Sequence, residues 1–164
     1  MNLRADKILE SDHADLNKLQ ADVQRSIADD DLHRTHEALD LFWGRLALHI
    51  RAEHLRLFPA LFSVNKSSEL AELISLLRED HDFFMTVLGS LMKVFRSASE
   101  NDAAEVMKFA RPELTMLTAR LREHNDLEES RIYTLISELD EAEAKHLAAG
   151  IKMELNNLPQ RFRA

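Results

Sequence analysis

The chain has 164 residues, enough for one ordinary domain with its own core. Its 45% hydrophobic and 30% charged residues exclude a disordered composition, and a formal net charge of -8 disfavours nucleic acid and anionic membrane surfaces as partners. There is no cysteine, which excludes disulfides and thiolate metal sites, so any metal must be held by nitrogen and oxygen.

Read from its start, the chain opens with ten residues of which four (Arg4, Asp6, Lys7 and Glu10) are charged, and they contain no apolar run of the signal-peptide kind. The longest uncharged stretch, 83–92, is too short for a bilayer at about 1.5 Å per helical residue. The expected location is the cytoplasm. Apolar spacing then predicts helix nearly throughout. A first helix, capped by Ser11, runs to about residue 28 with Leu9, Leu16, Leu19, Val23 and Ile27 inward. Asp29-Asp30-Asp31 breaks it and offers carboxylates to cap the next helix. The second helix covers about 32–62 with Leu39, Phe42, Leu46, Ile50 and Leu57 inward, and Pro59 should bend it or end it early.

A polar turn over 63–68 leads to a third helix, about 69–96, with Leu70, Leu73, Leu77, Phe84, Leu88, Leu91 and Phe95 on one face. After a break at 97–101, a fourth helix covers about 102–138 with Leu114, Leu117, Leu121, Leu127 and Leu135 inward, and Pro112 can split off its first two turns. Asp140 followed by Glu143 resembles a capping box for a fifth helix ending near Pro159. Its Leu147, Ile151 and Leu155 should cover the bundle rather than face a partner. The expected fold is all-α: an up-down-up-down four-helix bundle over about 12–138 with an additional C-terminal helix, one domain over 1–164.

Several ionisable residues fall on the inner seams, where a soluble helix normally keeps none. His13 lies on the first seam, His49 and Glu53 on the second, His81 on the third, and His124 and Glu128 on the fourth. A single inward histidine is usually a satisfied core residue, and one His-x3-Glu pair can simply close across a helical turn. Two such pairs plus a lone inward histidine on each remaining helix is a different case, because burying so many unpartnered polar groups costs several kcal/mol each. Register supports a shared site. The midpoint of His13 and His49 is residue 31, that of His49 and His81 is residue 65, and that of His81 and His124 falls between 102 and 103. Each midpoint lies in or beside a predicted turn, so all four histidines reach one layer. His33, His36, His54 and His146 are expected at the surface or behind the ligands.

Four imidazoles and two carboxylates suit iron, manganese or zinc. Six ligands are too many for one tetrahedral zinc and fit two metals sharing Glu53 and Glu128, with two histidines to each metal. The pieces Asp12-His13, His49-Ile-Arg-Ala-Glu53 followed by Leu57-Phe58-Pro59, Asp80-His81, and His124-Asn-Asp-Leu-Glu128 followed by Ile132-Tyr133 resemble the hemerythrin-like family, the HHE cation-binding domain. The resemblance covers about residues 12–135. It implies a centre of two iron ions joined by an oxo or hydroxo bridge, with metal ligands His13, His49, Glu53, His81, His124 and Glu128.

Two departures from oxygen-carrying hemerythrins stand out. The place of their fifth histidine, one turn after His81, holds Met85, and their last carboxylate is spaced one residue further from its histidine. A thioether is a poor iron ligand, so the metal at His81 and His124 should keep an extra open position. That favours a di-iron protein that senses oxygen, nitric oxide or redox state, or handles iron, over a reversible carrier. A di-iron enzyme acting on peroxide or oxygen ranks second, and a metal-free helical interaction module third. Tyr133 is a candidate redox neighbour, although a lone tyrosine on a bundle helix is more often core. The expected partners are a small diatomic or peroxide ligand and another protein chain or a second copy, with neither nucleic acid nor membrane.

Overall fold

Apolar residues three and four apart make four helical rods, and the structure, a computed structural model describing residues 3–163, is assembled from them. The first rod is α1 (Ala5–Ala28). The second is α2 (Leu32–Ala52), continued through a π turn (Glu53–Leu57) into α3 (Phe58–Val64). The third is α4 (Ser68–Ser97). The fourth is α5 (Ala103–Leu127), continued through a second π turn (Glu128–Ile132) into a 3-10 stretch (Tyr133–Glu138). Each rod packs on the next and α5 closes back on α1, while α6 (Glu141–Leu155) lies against α1 and α2. Among the described residues there is no strand, and no helix is long and apolar enough to cross a membrane.

The helix starts follow local chemistry. The Asp31 carboxylate accepts the backbone N–H of Arg34 at the start of α2, Ser67 accepts that of Leu70 at α4, and Asp140 and Glu143 close a capping box at α6. Three expectations change. The first helix begins at Ala5 rather than after Ser11, because Ala5 and Leu9 are buried and carry the seam past the serine. Pro59 does not end the second rod. The preceding π turn has already shifted the ladder, with the Phe58 N–H donating to the Glu53 carbonyl, and the proline starts α3. Nor does Pro112 split the fourth rod: α5 is continuous from Ala103, with Val106, Met107, Ala110 and Leu114 buried around the proline.

The core divides into two apolar clusters. One joins Leu16, Val23 and Ile27 of α1 to Leu39, Phe42 and Leu46 of α2, Phe84, Leu88 and Phe95 of α4, and Leu114, Leu117 and Leu121 of α5. The other joins Leu9 of α1 to Leu57, Phe58 and Leu61, Leu70, Ile74 and Leu77 of α4, Ile132 and Ile136, and Leu147 and Ile151 of α6. Thus α6, the fifth helix of the sequence reading, covers this second cluster with its apolar face, as expected. Between the clusters lies a polar layer.

Candidate metal centre

The layer is made by all six inward residues. His13 comes from α1, His49 from α2, Glu53 from the first π turn, His81 from α4, His124 from α5 and Glu128 from the second π turn; none is more than 3% exposed. They meet in two groups of donor atoms, each compact enough to hold a metal ion: His13, His49, Glu53 and Glu128, and His81, His124, Glu53 and Glu128. His13 Nε2 lies 3.1 Å from His49 Nε2, and His81 Nε2 lies 3.0 Å from His124 Nε2.

The two glutamates belong to both groups because each turns one oxygen to each side. Glu53 Oε1 is 3.3 Å from His49 Nε2, and its Oε2 is 3.2 Å from His81 Nε2. Glu128 Oε2 is 3.3 Å from His13 Nε2, and its Oε1 is 2.9 Å from His124 Nε2. Both carboxylates begin π turns, whose wider i to i−5 spacing re-aims side chains and is common at functional sites. Glu53 Oε2 and Glu128 Oε1 are buried and make no hydrogen bond. Buried carboxylate oxygens left so are costly, and a cation between these donors would satisfy them. The donor set, all imidazole nitrogen and carboxylate oxygen, fits iron.

Each imidazole turns its other nitrogen outward to a partner. His49 Nδ1 meets Asp12 at 2.8 Å and His124 Nδ1 meets Asp80 at 3.1 Å. The two aspartates are themselves held by Arg45 and Arg120, each at 2.7 Å. His13 Nδ1 meets Glu129 at 2.7 Å, whereas His81 Nδ1 meets another imidazole, His54 Nε2, at 2.8 Å. Against the carboxylates the outer nitrogen must carry the proton, which leaves Nε2 free to ligate; such partners fix a histidine's tautomer and orientation at metal sites. Sequence reasoning quoted Asp12 and Asp80 only as parts of motifs and did not assign Arg45, Arg120 or Glu129. A signal was available: Arg-x3-His-x3-Glu occurs at 45–53 and again at 120–128, and Asp-His at 12–13 and 80–81.

Tyr133, left between core and redox neighbour, enters the centre. Its hydroxyl donates to Glu53 Oε1 at 2.8 Å and lies 3.3 Å from Glu128 Oε2. His54 stands directly behind His81, while His33 is paired with Glu37 on the surface, His36 stacks on Phe95 and His146 is exposed. Met85 is half-buried against the first apolar cluster, and the neighbouring Phe84 sets its ring edge-on to His124 at 5.2 Å. A cleft of about 600 Å³ between α1 and α5, lined by Gln20, Asn125 and Asp126 among others, reaches Glu129 and so approaches the His13 side.

Charge in the layer is strongly coupled. Burial opposes protonation of His49, but attraction to Glu53 and the Asp12 hydrogen bond outweigh it and hold its pKa well above the usual value. Burial likewise opposes charge on His81, yet its contacts with Glu128 and Glu53 raise it to about 9; His124 is raised against the same opposition, chiefly by Glu128. Burial and mutual repulsion resist ionisation of Glu53, but His49 and His81 bring it down to about 2, and Glu128 is likewise held well below the carboxylate range by His124 and His13. Burial and the two glutamates push the Tyr133 phenol well up, and burial pushes His54 down. Without metal, protons on the imidazoles thus balance the carboxylates.

Comparison with known proteins gives one positive finding: the family model described as the hemerythrin HHE cation-binding domain matches residues 4–136. No curated protein and no solved structure matches the chain.

Proposed function

This chain belongs to the hemerythrin HHE cation-binding domain family, and on that premise we propose that it is a non-heme di-iron protein that senses oxygen, nitric oxide or redox state, or handles iron. The observation that carries the reading is the sharing of Glu53 and Glu128 between two donor groups. One iron would be held by His13 and His49, the other by His81 and His124, with both glutamates serving each. Such a pair supplies two adjacent redox-active ions with coordination positions for a small ligand.

The chain's own residues do the rest. Asp12, Asp80 and Glu129 hold the outer protons of three imidazoles and so keep their inner nitrogens bare. The two apolar clusters exclude water from above and below the layer. Gln20, Asn125 and Glu129 line a polar approach from solvent. Met85, packed on apolar neighbours, offers the second iron no good donor, which supports a reactive or sensing centre over a closed carrier. The signal would pass to another protein chain or a second copy.

The test is quantitative metal analysis after anaerobic, iron-replete expression. Two irons per chain are expected; one zinc per chain would refute the reading. Rapid turnover of peroxide by the iron-loaded protein would move the assignment to a di-iron enzyme.

A further inference from the structure

Tyr133 is the chain's single tyrosine, and its hydroxyl oxygen stands among the donor atoms of the His13/His49 group. Oη lies 2.8 Å from Glu53 Oε1, 3.3 Å from Glu128 Oε2, 3.1 Å from His13 Nε2 and 3.5 Å from His49 Nε2. The four donors are spaced from one another in the same way, with His13 and His49 at 3.1 Å and each histidine at 3.3 Å from its glutamate oxygen. Nitrogen and oxygen ligands sit about 2.0–2.2 Å from a small cation, so neighbours at right angles around it are about 3 Å apart. Oη therefore occupies one more corner of the same shell.

The backbone puts it there. Tyr133 follows the second π turn, and its N–H donates to the Glu128 carbonyl, so the tyrosine and the glutamate are stacked one π turn apart. A hydroxyl serving only as a hydrogen-bond donor to a carboxylate needs one short contact. This one lies within 3.5 Å of four donor atoms and is fully buried. Beside the His81/His124 group the corresponding residue is Phe58, which has no oxygen to give.

We propose that Tyr133 is a ligand, as phenolate, of the iron held by His13 and His49; the inference rests on the di-iron reading above. On ligation the phenol O–H bond breaks, an oxygen–iron bond forms and the proton passes to water. The anionic oxygen favours the more highly charged ferric ion by simple attraction, so the two irons are unlike: the one beside Tyr133 is the harder to reduce.

The experiment uses the untagged chain, loaded anaerobically with ferrous iron, oxidised with ferricyanide, and recorded by visible absorption and resonance Raman. The expected result is a phenolate-to-iron(III) charge-transfer band with enhanced tyrosine ring vibrations, which can come only from Tyr133. Tyr133→Phe should lose both while keeping two irons per chain. Two ferric irons without the band overturn the ligand assignment alone, as does a band that survives Tyr133→Phe. A chain that takes up no iron overturns the di-iron reading, and this assignment with it. The spectrum of the unaltered chain decides even where the variant folds poorly.

Discussion

On one side of the polar layer His13 and His49 face Tyr133; on the other His81 stacks on Phe58, which stands five residues after its glutamate as Tyr133 does after Glu128. The consequences are local and opposite. Tyr133 reaches Glu53 Oε1 and Glu128 Oε2, while the other oxygen of each glutamate is buried and makes no hydrogen bond. The outer partners differ in the same direction. Both imidazoles of the first half lean on carboxylates, Glu129 and Asp12, whereas His81 of the second half leans on neutral His54. An internal repeat thus sets where the donor atoms gather, and the few positions at which the repeat fails set how the two groups differ.

The largest effect should come from removing what the halves share. Glu53→Ala or Glu128→Ala takes an oxygen from both donor groups and should lower metal content from two per chain to one or none, measured by elemental analysis of purified protein. Two metals per chain retained in either variant would break the idea that both carboxylates are common property.

Next comes pH. The His81 imidazole has its pKa raised to about 9 in the metal-free protein, so it is protonated at neutral pH, and a metal must displace that proton. Affinity should rise between pH 7 and 9 by roughly tenfold per pH unit for each proton displaced, checked by calorimetric titration in buffers of different ionisation enthalpy. The metal-free protein should behave oppositely. A raised folded pKa gives stability that is complete below the unfolded value near 6.5 and lost as pH climbs through 9, so its melting temperature should fall over the range in which metal affinity improves.

A smaller contrast lies in the outer partners. Asp12→Asn should weaken cation binding about 10–100-fold, the usual effect of losing a carboxylate behind a metal-bound histidine. His54→Ala should cost less, because it removes a neutral partner. Equilibrium competition with a chelator ranks the two, and equal losses would erase the distinction between the halves.

The smallest effect is on the metal-free fold. Tyr133→Phe removes the buried hydroxyl that donates to Glu53 Oε1 and Glu128 Oε2 and should cost about 1–3 kcal/mol. Phe58→Tyr offers a hydroxyl to the oxygens that now lack one and should raise the melting temperature. Denaturant unfolding in the presence of chelator measures both. A destabilising Phe58→Tyr would mean that the second half has no room for the oxygen its twin accommodates.

Much of this molecule follows from the sequence by itself. Apolar residues at helical spacing fix which face of each rod is buried, and turn residues fix where rods reverse, so the inward placement of His13, His49, Glu53, His81, His124 and Glu128 and their common height could be read before any coordinates. Family membership could be read there too. What periodicity cannot give is contact between side chains on different rods, because it specifies a face and not a distance or a rotamer. The split of each glutamate between two histidine pairs, the arginine-held aspartates behind His49 and His124, His54 behind His81, and the tyrosine hydroxyl inside the shell all depend on how closely the rods pack. The start of α1 at Ala5 and the unbroken passage of Pro59 and Pro112 depend on it as well: buried contacts from neighbouring rods outweighed the local preferences of a serine and two prolines.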